Sequence, residues 1–352
     1  MGYVINILGI LIFMINQSLI SKEYIIKCLK NNYGINTSSI TKIAEGADLD
    51  SQVYKADTED RKTYFIKAGL NHDISTSLQL LLHDKGIKQV ISPIKTLDNK
   101  LFQNVNDFNL VVYPYISGKC GFKHKLNKNQ WIELGKALKQ IHEFDIPLLI
   151  REKIKHENYS PEWRDAIRSI YNNINFEKSN DPTILSFLSF IKNQKEIILH
   201  LVHIAEKLAQ KIKKKDVEFV LCHSDIHAGN VLIQNDGKIF IVDWDYPKLA
   251  PKERDLMFIG GGIGNVWNSP NEVVFFYKGY GTTKIDIEML SYYRCERIIE
   301  DIAIYYKTMM DSNKNNKAEI YDFIIDMFKP NGVVDIALKS VDHVHHGIVN
   351  DS

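Results

Sequence analysis

Two carboxylates and one amide fall at spacings that suit a metal-dependent reaction. Asp225 and Asn230 lie five residues apart in the segment HSDIHAGN (223–230), and Asp243 follows thirteen residues later in IVDWD (241–245). Magnesium prefers hard oxygen ligands from one or two side chains, completed by phosphates and water. Asn230 and Asp243 are therefore candidate magnesium ligands, and Asp225 is a candidate base.

Phosphoryl transfer is the chemistry that such a set serves. It requires an acceptor hydroxyl held in line, a carboxylate to take the hydroxyl proton, and a divalent metal on the phosphate oxygens. Segments 219–221, 231–233 and 239–242 are β-like, and Asn235-Asp236-Gly237 is a turn signal. They predict a hairpin that returns Asp243 to the side of Asn230. This strand–turn–strand context makes the motif specific.

The two strings resemble the catalytic and metal-binding loops of the aminoglycoside phosphotransferase and choline kinase superfamily, whose members are related to protein kinases. The resemblance implies that Asp225 is the catalytic base and that Asn230 and Asp243 bind Mg²⁺. It implies a packing and hydrogen-bonding role for His223, and it identifies Asp255 as a residue that braces the catalytic loop. It also implies ATP as the phosphoryl donor, with GTP left open.

Segments 131–143, 250–268 and 291–303 resemble the spectinomycin phosphotransferases of that superfamily, and the similarity extends over about residues 17–340. It implies an enzyme that phosphorylates a hydroxyl of an aminocyclitol antibiotic and so gives resistance. Two alternatives stay open. One is a kinase for another small hydroxyl substrate, such as choline, homoserine or a sugar. The other is a nucleotide-binding pseudokinase module.

The same resemblance assigns nucleotide-binding residues in the N-terminal part of the chain. Lys67 corresponds to the strand lysine that holds the α- and β-phosphates. Segment 74–85 contains no glutamate to pair with this lysine; Asp73, just before the segment, is the nearest acidic candidate, with Asp84 behind it. Segment 45–51 takes the place of the phosphate loop with a single glycine, so backbone N–H groups and Ser51 are expected to cap the phosphates.

Segment 112–116 resembles the hinge between two kinase lobes, where backbone groups meet the adenine ring. Pro114 has no N–H to donate. The backbones of Tyr113 and Ile116 are therefore the expected adenine contacts.

An aminocyclitol is cationic, so acidic side chains near the transferred phosphate are candidates to bind its ammonium groups. The candidates are Asp245, which lies two residues after Asp243, and three acids of segment 291–303: Glu296, Glu300 and Asp301. Glu296 and Glu300 are i, i+4 neighbours on one predicted helix face. Trp267 and Asn268 are expected to add an apolar wall and hydrogen bonds. The glycine-rich run 260–264 predicts a tightly packed or flexible turn on the substrate side.

The elements around these residues predict two lobes. Residues 21–117 show a helix that starts at Ser21 and ends at Tyr33-Gly34, a second helix over 74–84, and strands over 40–44, 52–56, 63–68, 89–96 and 110–113. Residues 118–345 are mainly helical, with helices over 131–144, 161–174, 184–213 and 291–310. We predict an α+β, bilobal protein-kinase-like fold with a small antiparallel N-lobe sheet and a mainly helical C-lobe.

Composition and charge narrow the class of protein. The 352 residues are 45% hydrophobic and 25% charged, which is typical of a globular protein. The net charge of +1 gives no reason to expect a nucleic-acid partner, and no obligatory protein partner is implied. Four widely spaced cysteines without a C-x-x-C pair predict reduced thiols in a cytoplasmic protein rather than a zinc or redox site.

Residues 1–20 carry no charge and include the apolar run 7–15. The segment lacks a basic start and a small-residue cleavage site, so it is a poor signal peptide. Its length would just span a bilayer, although polar Asn6, Asn16 and Gln17 weaken a membrane helix. Three interpretations stay open: an upstream start outside the functional domain, a soluble or surface-packed extension, and a single anchor helix.

Overall fold

The computed structural model describes residues 20–43, 51–69, 73–105, 108–173, 179–311 and 316–347. Residues 343–347 are described by their backbone alone. The chain divides into two compact units, Met1–Thr76 with Ser92–Ile116 and Ser77–Ile91 with Ser117–Ser352. The lobe limits given above stay a prediction. The three interpretations of the N-terminal segment and most of the phosphate-loop segment lie outside the described residues.

One antiparallel sheet of five strands, in the order β1-β2-β3-β5-β4, organises the first unit. Its elements are helix α1 (Lys22–Tyr33), β1 (Thr37–Lys42), β2 (Ser51–Thr58), β3 (Thr63–Gly69), the start of helix α2 (Asp73–Asp84), β4 (Gln103–Val105) and β5 (Phe108–Pro114). Ser21 caps α1 by accepting a hydrogen bond from the backbone N–H of Tyr24 (3.2 Å). Gly34, with φ 68°, ends the helix in the left-handed region that glycine favours.

Helix α1 and one face of this sheet form the core of the first unit. Strand β2 alternates half-buried and buried residues along its length, which is the period of a strand with one face inward. Tyr54, Ile66 and Leu110 from three neighbouring strands pack with Leu29 of the helix. Strand β3 lies between β2 and β5, so Lys67 comes from the middle of the sheet.

The second unit is mainly helical. After the end of α2, its helices are α3 (Lys128–His142), α4 (Leu148–Arg151), α5 (Glu162–Asn173), α6 (Pro182–Asn193), α7 (Lys195–Ile212), α8 (Glu253–Leu256), α9 (Pro270–Tyr280), α10 (Ile287–Met310), α11 (Lys317–Met327) and α12 (Val333–Gly347). Its strands are β6 (Gly118–Cys120), β7 (Lys155–His156), β8 (Val220–Cys222), β9 (Val231–Gln234), β10 (Ile239–Ile241) and β11 (Lys248–Ala250). This combination with the first unit's sheet confirms the predicted α+β class.

Two small sheets of the second unit, in the orders β10-β9-β6 and β7-β11-β8, carry the candidate catalytic segments. Strands β9 and β10 form the predicted hairpin, with Ile233 opposite Ile239 and Val231 opposite Ile241. Strand β8 pairs with β11 and ends at Cys222. Segment 223–230 therefore begins where β8 ends, and segment 243–245 begins just after β10.

Helices α3 and α9 approach each other closely because each carries a glycine at the contact. A Cβ on Gly135 would lie 2.2 Å from the carbonyl oxygen of Phe276, and one on Gly279 would lie 1.9 Å from that of Ile132. Either methyl group would force the two backbones apart. Helix α3 also contacts strand β8, so this pair of helices supports the strand that leads into segment 223–230.

Two secondary-structure predictions were wrong. Residues 89–96 form no strand; Val90 makes only an isolated bridge with Ile241, and Pro93 within the segment has no N–H for a ladder. Residues 184–213 form two helices, because the backbone at Gln194 adopts φ −89° and ψ 6° and interrupts the helical path.

None of the helices within the described ranges combines the length and apolar composition that crossing a lipid bilayer requires. All four cysteines are free thiols, and three of them, Cys28, Cys222 and Cys295, are buried.

Candidate active site

The loop that follows β8 positions Asp225. Its first residues are buried, and Ser224 adopts φ 74°, an uncommon value for a residue other than glycine. At the other end, a short 3₁₀ turn spans Ala228–Asn230 and leads directly into β9. The N–H of Gly229 donates to Nδ1 of His227 (2.9 Å) and so caps this turn. Asp225 stands between these two anchors with 36% of its side chain exposed.

The hairpin places Asp243 next to Asn230, as predicted. Val231 lies opposite Ile241, and the N–H of Val242 donates to the carbonyl oxygen of Asn230 (2.9 Å). The exposed Asp243 then follows with φ 67°. The backbone therefore fixes the two candidate metal ligands as neighbours.

The side chain of Asn230 is oriented by Asp225. Its Nδ2 donates to the carbonyl oxygen of Asp225 (2.8 Å) and lies 3.4 Å from Oδ2 of the same residue. No hydrogen bond to Oδ1 of Asn230 occurs within the described part of the chain. The amide oxygen is therefore available as a ligand, and together with the Asp243 carboxylate it provides the hard oxygen donors that Mg²⁺ prefers. The residues present fit a divalent ion.

His223 has both ring nitrogens engaged by the backbone. Nε2 donates to the carbonyl oxygen of Val242 (2.9 Å), and Nδ1 accepts from the N–H of Asp225 (3.3 Å). The ring also meets Trp244 edge-on, with centroids 4.7 Å apart. His223 thus ties the Asp225 loop to the Asp243 strand end, which supports the predicted hydrogen-bonding role.

Asp255, in the short helix α8, braces the start of the loop that carries Asp225. Its two carboxylate oxygens accept from the N–H groups of His223 (2.9 Å) and Ser224 (2.7 Å). Its Oδ2 also lies 3.1 Å from Nε2 of His142 on α3, whose Nδ1 contacts the hydroxyl of Tyr280 (2.7 Å). The carboxylate is fully buried. The predicted bracing role of Asp255 is confirmed.

The charge of Asp225 is balanced by an arginine that the sequence did not indicate. Nη1 of Arg297 on α10 lies 2.5 Å from Oδ1 of Asp225, and Nε2 of His227 lies 3.6 Å from Oδ2. Burial alone would raise the pKa of Asp225. The positive charge of Arg297 and the hydrogen bond from His227 outweigh it and hold the pKa below its ordinary value.

The acidic residues proposed for substrate binding have different surroundings. Glu296 is buried and pairs with Arg164 (2.8 Å); burial raises its pKa to about 7. Asp301 accepts from Nε of Arg297 (2.9 Å). Glu300, on helix α10, is half-buried, and so is Asp245, which lies two residues after Asp243. The carboxylate of Glu296 is thus engaged in the interior, whereas Asp245 and Glu300 are each partly open to solvent.

Trp267 and Asn268, although adjacent in sequence, differ in their exposure to solvent. Trp267 is buried, and its ring meets Trp131 edge-on with centroids 4.9 Å apart. Its indole is therefore part of the core rather than an exposed wall. Asn268 is exposed, and its Nδ2 lies 3.4 Å from Oδ1 of Asn265 and from the carbonyl oxygen of Asn331. The nearby glycine run is a packed turn, since a Cβ on Gly261 would lie 2.4 Å from a backbone oxygen.

The nucleotide-binding candidates belong to the first unit. Lys67 is buried in β3, opposite Val53 of β2 and Val111 of β5. Ser51 is the first residue of β2, and Tyr113 lies near the end of β5. Ile116, two residues beyond that strand, is half-buried.

Asp73 opens helix α2 and accepts a hydrogen bond from Nδ2 of Asn109 (2.8 Å). A carboxylate in the first turn of a helix is favourable because the helix dipole is positive there. Asp73 is therefore fixed in the first unit, on the element that follows β3.

The Phosphotransferase enzyme family matches residues 40–284, about two thirds of the chain. The protein belongs to this phosphotransferase family. The match includes the whole of the Asp225 loop and both candidate metal ligands.

Similar solved structures support the membership. Spectinomycin phosphotransferase APH(9)-Ia, in complex with ADP and spectinomycin, is 47% identical; the match covers 92% of this chain and 99% of that chain, with a TM-score of 0.86. Its AMP-bound complex is 46% identical over 91% of this chain and 98% of that chain, with a TM-score of 0.82. Ethanolamine kinase from Plasmodium vivax, 15% identical over 88% of this chain and 91% of that chain with a TM-score of 0.53, shares the fold alone. The comparison with curated protein sequences found no match.

These structures confirm the predicted kinase-like fold, and they place the phosphotransferase among small-molecule kinases. The sequence resemblance had identified Asp225, Asn230, Asp243 and Asp255. It gave no indication of Arg297, which contacts Asp225 from 72 residues away along the chain, or of His142, which contacts Asp255 from 113 residues away. Contacts at such separations leave no local pattern in one sequence.

Replacing Asp255 by asparagine is expected to destabilise the phosphotransferase by about 3 kcal/mol. The amide NH₂ would face a backbone N–H that now donates to a carboxylate, and a buried donor would lose its acceptor. The free energy of unfolding from urea denaturation measures the effect. Asp326→Asn is the matched control, because Asp326 pairs with Lys329 at the surface. A loss below 0.5 kcal/mol, on the order expected of surface substitutions, would contradict the bracing role.

Proposed function

We propose that this phosphotransferase transfers the γ-phosphoryl group of ATP to a hydroxyl of an aminocyclitol of the spectinomycin class, and so confers resistance to it. The observation that carries the proposal is the 47% identity to a spectinomycin phosphotransferase over 92% of this chain. That enzyme was crystallised with ADP and spectinomycin. The similarity spans nearly the whole of both chains, so it includes the parts that select the acceptor as well as the catalytic loop.

Asp225 is proposed as the catalytic base. In the balanced reaction, the acceptor oxygen bonds to the γ-phosphorus, the bond from that phosphorus to the bridging oxygen of ADP breaks, and the hydroxyl proton passes to Asp225. Its low pKa makes it a weak base toward a ground-state alcohol. It therefore orients the hydroxyl by accepting its hydrogen bond, and takes the proton as the oxygen gains bonding to phosphorus.

Asn230 and Asp243 are proposed to hold Mg²⁺. A bound Mg²⁺ supplies charge stabilisation on the phosphate oxygens. The chain's own contribution is orientation. The Asn230 amide is fixed by Asp225, and the hydrogen bond from Val242 to Asn230 keeps Asp243 beside it.

Residues 21–117 are proposed as the nucleotide-binding lobe, and residues 118–345 as the catalytic and substrate-binding lobe. Lys67 would hold the phosphates, Ser51 would cap them, and the backbones of Tyr113 and Ile116 would contact adenine. Two similar structures contain adenine nucleotides, ADP in one and AMP in the other, which supports ATP as the donor. A cytoplasmic location, where ATP is available, is consistent with the four reduced cysteines.

A coupled assay of ADP release with an acceptor panel tests the proposal. The panel contains spectinomycin, a 2-deoxystreptamine aminoglycoside, choline, homoserine and a simple sugar. Spectinomycin is expected to give the highest kcat/KM, with a mass increase of one phosphate on the product. Efficient turnover of choline or homoserine without turnover of spectinomycin would overturn the aminocyclitol assignment. If no acceptor of the panel supports ADP release, the result would favour the pseudokinase alternative.

Acidic side chains beside the catalytic loop are proposed to bind the ammonium groups of the acceptor. Asp245 lies two residues after Asp243, the candidate metal ligand. Glu300 lies three residues beyond Arg297, which contacts the proposed base Asp225. Residues three apart share one face of a helix. Glu300 is therefore the acid of α10 best placed to face the acceptor.

Asp245→Asn and Glu300→Gln are expected to raise KM for spectinomycin at least tenfold while changing KM for ATP less than twofold. Removing one partner of a desolvated charge pair costs about 2–5 kcal/mol, and tenfold corresponds to about 1.4 kcal/mol. Steady-state kinetics with each substrate varied in turn measures both constants. Glu288→Gln is the matched control, because Glu288 lies in the first turn of the same helix and pairs with Lys211 (3.0 Å). Equal changes in both KM values would argue against substrate contacts.

A further inference from the structure

Asp225 is held at both of its carboxylate oxygens. Oδ1 lies 2.5 Å from Nη1 of Arg297. Oδ2 lies 3.4 Å from Nδ2 of Asn230 and 3.6 Å from Nε2 of His227. The shortest of these contacts is the ion pair, so Arg297 does most to fix the rotation of the carboxylate.

Arg297 is itself fixed from two further directions. Its Nε donates to Oδ1 of Asp301, one turn further along α10 (2.9 Å). Its guanidinium carbon lies 5.7 Å from the ring centre of Phe258, in a cation–π arrangement. Only 18% of the Arg297 side chain is exposed. A planar guanidinium held in this way presents its N–H groups in one fixed geometry.

We propose that Arg297 is a positioning residue for phosphoryl transfer. It binds Oδ1 of Asp225, so that Oδ2 is the atom that faces the acceptor hydroxyl, and Asp301 keeps Arg297 in place. The inference rests on the proposed role of Asp225.

The proposal links the substrate side of α10 to the base. Glu300 and Asp301 lie three and four residues beyond Arg297 on α10, so each is a neighbour of Arg297 on the helix surface. An acceptor bound by Glu300 would therefore lie against the same helix that aims Asp225. Acceptor binding and base orientation would share one rigid element.

Three substitutions at Arg297 and one control test the proposal, and the third, Arg297→Ala, serves for rescue by added guanidinium ion. Arg297→Met keeps the aliphatic stem and removes the charge, and Arg297→Lys keeps the charge but not the fork that reaches both carboxylates. Arg294→Met is the control: Arg294 is also a half-buried arginine of α10, but it donates to the carbonyl oxygens of Met257 (3.3 Å) and Ile259 (3.2 Å). The control removes a structural guanidinium without touching Asp225.

Arg297→Met is expected to lower kcat by about 10²-fold, on the order of the loss that a small misplacement of a catalytic group causes, with KM for ATP unchanged. The acid limb of kcat/KM should move up by about 1–3 pH units, because an adjacent cation lowers a carboxyl pKa by that amount. Arg297→Lys should retain most of the wild-type acid limb while losing part of kcat. Guanidinium ion at millimolar concentration should restore part of the activity of Arg297→Ala.

A carboxyl titration separates this inference from the proposed function. ¹³C-carboxyl NMR of aspartate-labelled protein, with the Asp225 signal assigned through Asp225→Asn, reports the pKa directly in the absence of substrates. An upward shift of that pKa in Arg297→Met and none in Arg294→Met supports the inference even if spectinomycin is not the acceptor. An unchanged Asp225 pKa in Arg297→Met, or in Arg297→Lys should the methionine variant not fold, would overturn it. Loss of kcat in Arg297→Met no greater than in Arg294→Met would also overturn it.

Discussion

Asp243→Asn is expected to abolish the enhancement of nucleotide binding by magnesium and to lower kcat by about 10³-fold or more. The substitution removes the carboxylate that we assign as a metal ligand beside Asn230. Metal on the phosphate oxygens stabilises the transition state by several kcal/mol, and about 4 kcal/mol corresponds to about 10³-fold in rate. Asparagine is preferred to alanine here because Asp243 has φ 67°, a left-handed value that asparagine adopts readily.

Calorimetric titration of ATP with and without Mg²⁺ measures the first effect, and single-turnover kinetics measures the second. The control is Asp236→Asn, since Asp236 lies in the turn of the same hairpin and pairs with Lys238 (2.8 Å). The control should retain wild-type magnesium enhancement. A similar enhancement in Asp243→Asn would mean that the ligand assignment is wrong.

The catalytic loop was predictable because its residues are close in sequence. Asp225 and Asn230 occupy one turn-rich segment, and the short hairpin with its Asn-Asp-Gly turn returns the chain to Asp243. The hydrogen bond between Val242 and Asn230 is the direct consequence. A local motif of this kind defines its own geometry, so the spacing was sufficient to predict that Asp243 lies beside Asn230; the catalytic roles of these residues stay a proposal from the family resemblance.

The two errors in the predicted secondary structure have different causes. Residues 184–213 have an apolar pattern suited to one long helix, yet the chain breaks at Gln194, which has no special backbone preference. Conversely, residues 89–96 have a strand-like composition but make only isolated bonds, such as the one from Ile94 N–H to the carbonyl oxygen of Val112 (2.7 Å). Packing in the folded protein overrides local propensity at Gln194, whereas Pro93, which has no N–H for a ladder, prevents a strand over residues 89–96.

Burial of polar and aromatic residues was the least predictable property of the site. Glu296 and Glu300 look equivalent in sequence, four residues apart on one helix. The structure buries Glu296 against Arg164 and leaves Glu300 half-buried. Trp267, expected as a wall for the acceptor, packs on Trp131 instead. Such differences depend on the neighbouring helices, which no single-sequence periodicity identifies.

Asp225→Asn is expected to lower kcat by about 10²–10⁴-fold, the usual contribution of a general base, while leaving the fold and nucleotide binding intact. The carbonyl oxygen of asparagine can still accept from Arg297, so the loop should keep its position. The NH₂ group would then replace Oδ2, the atom proposed to face the hydroxyl. An NH₂ group can neither accept the hydroxyl hydrogen bond nor take the proton.

Three measurements on one preparation of Asp225→Asn decide the assignment. The melting temperature and the ATP dissociation constant should match the wild type, and the rate of phosphoryl transfer in a single turnover should fall. The melting temperature and the ATP dissociation constant are needed because the substitution removes the charge that pairs with Arg297. If the loop unfolded as a result, activity would also be lost. If the variant binds ATP normally and turns over within tenfold of the wild type, Asp225 is not the base. If turnover falls and the acid limb of the remaining activity disappears, the carboxylate both orients and deprotonates the acceptor, because its own ionisation then no longer controls the rate.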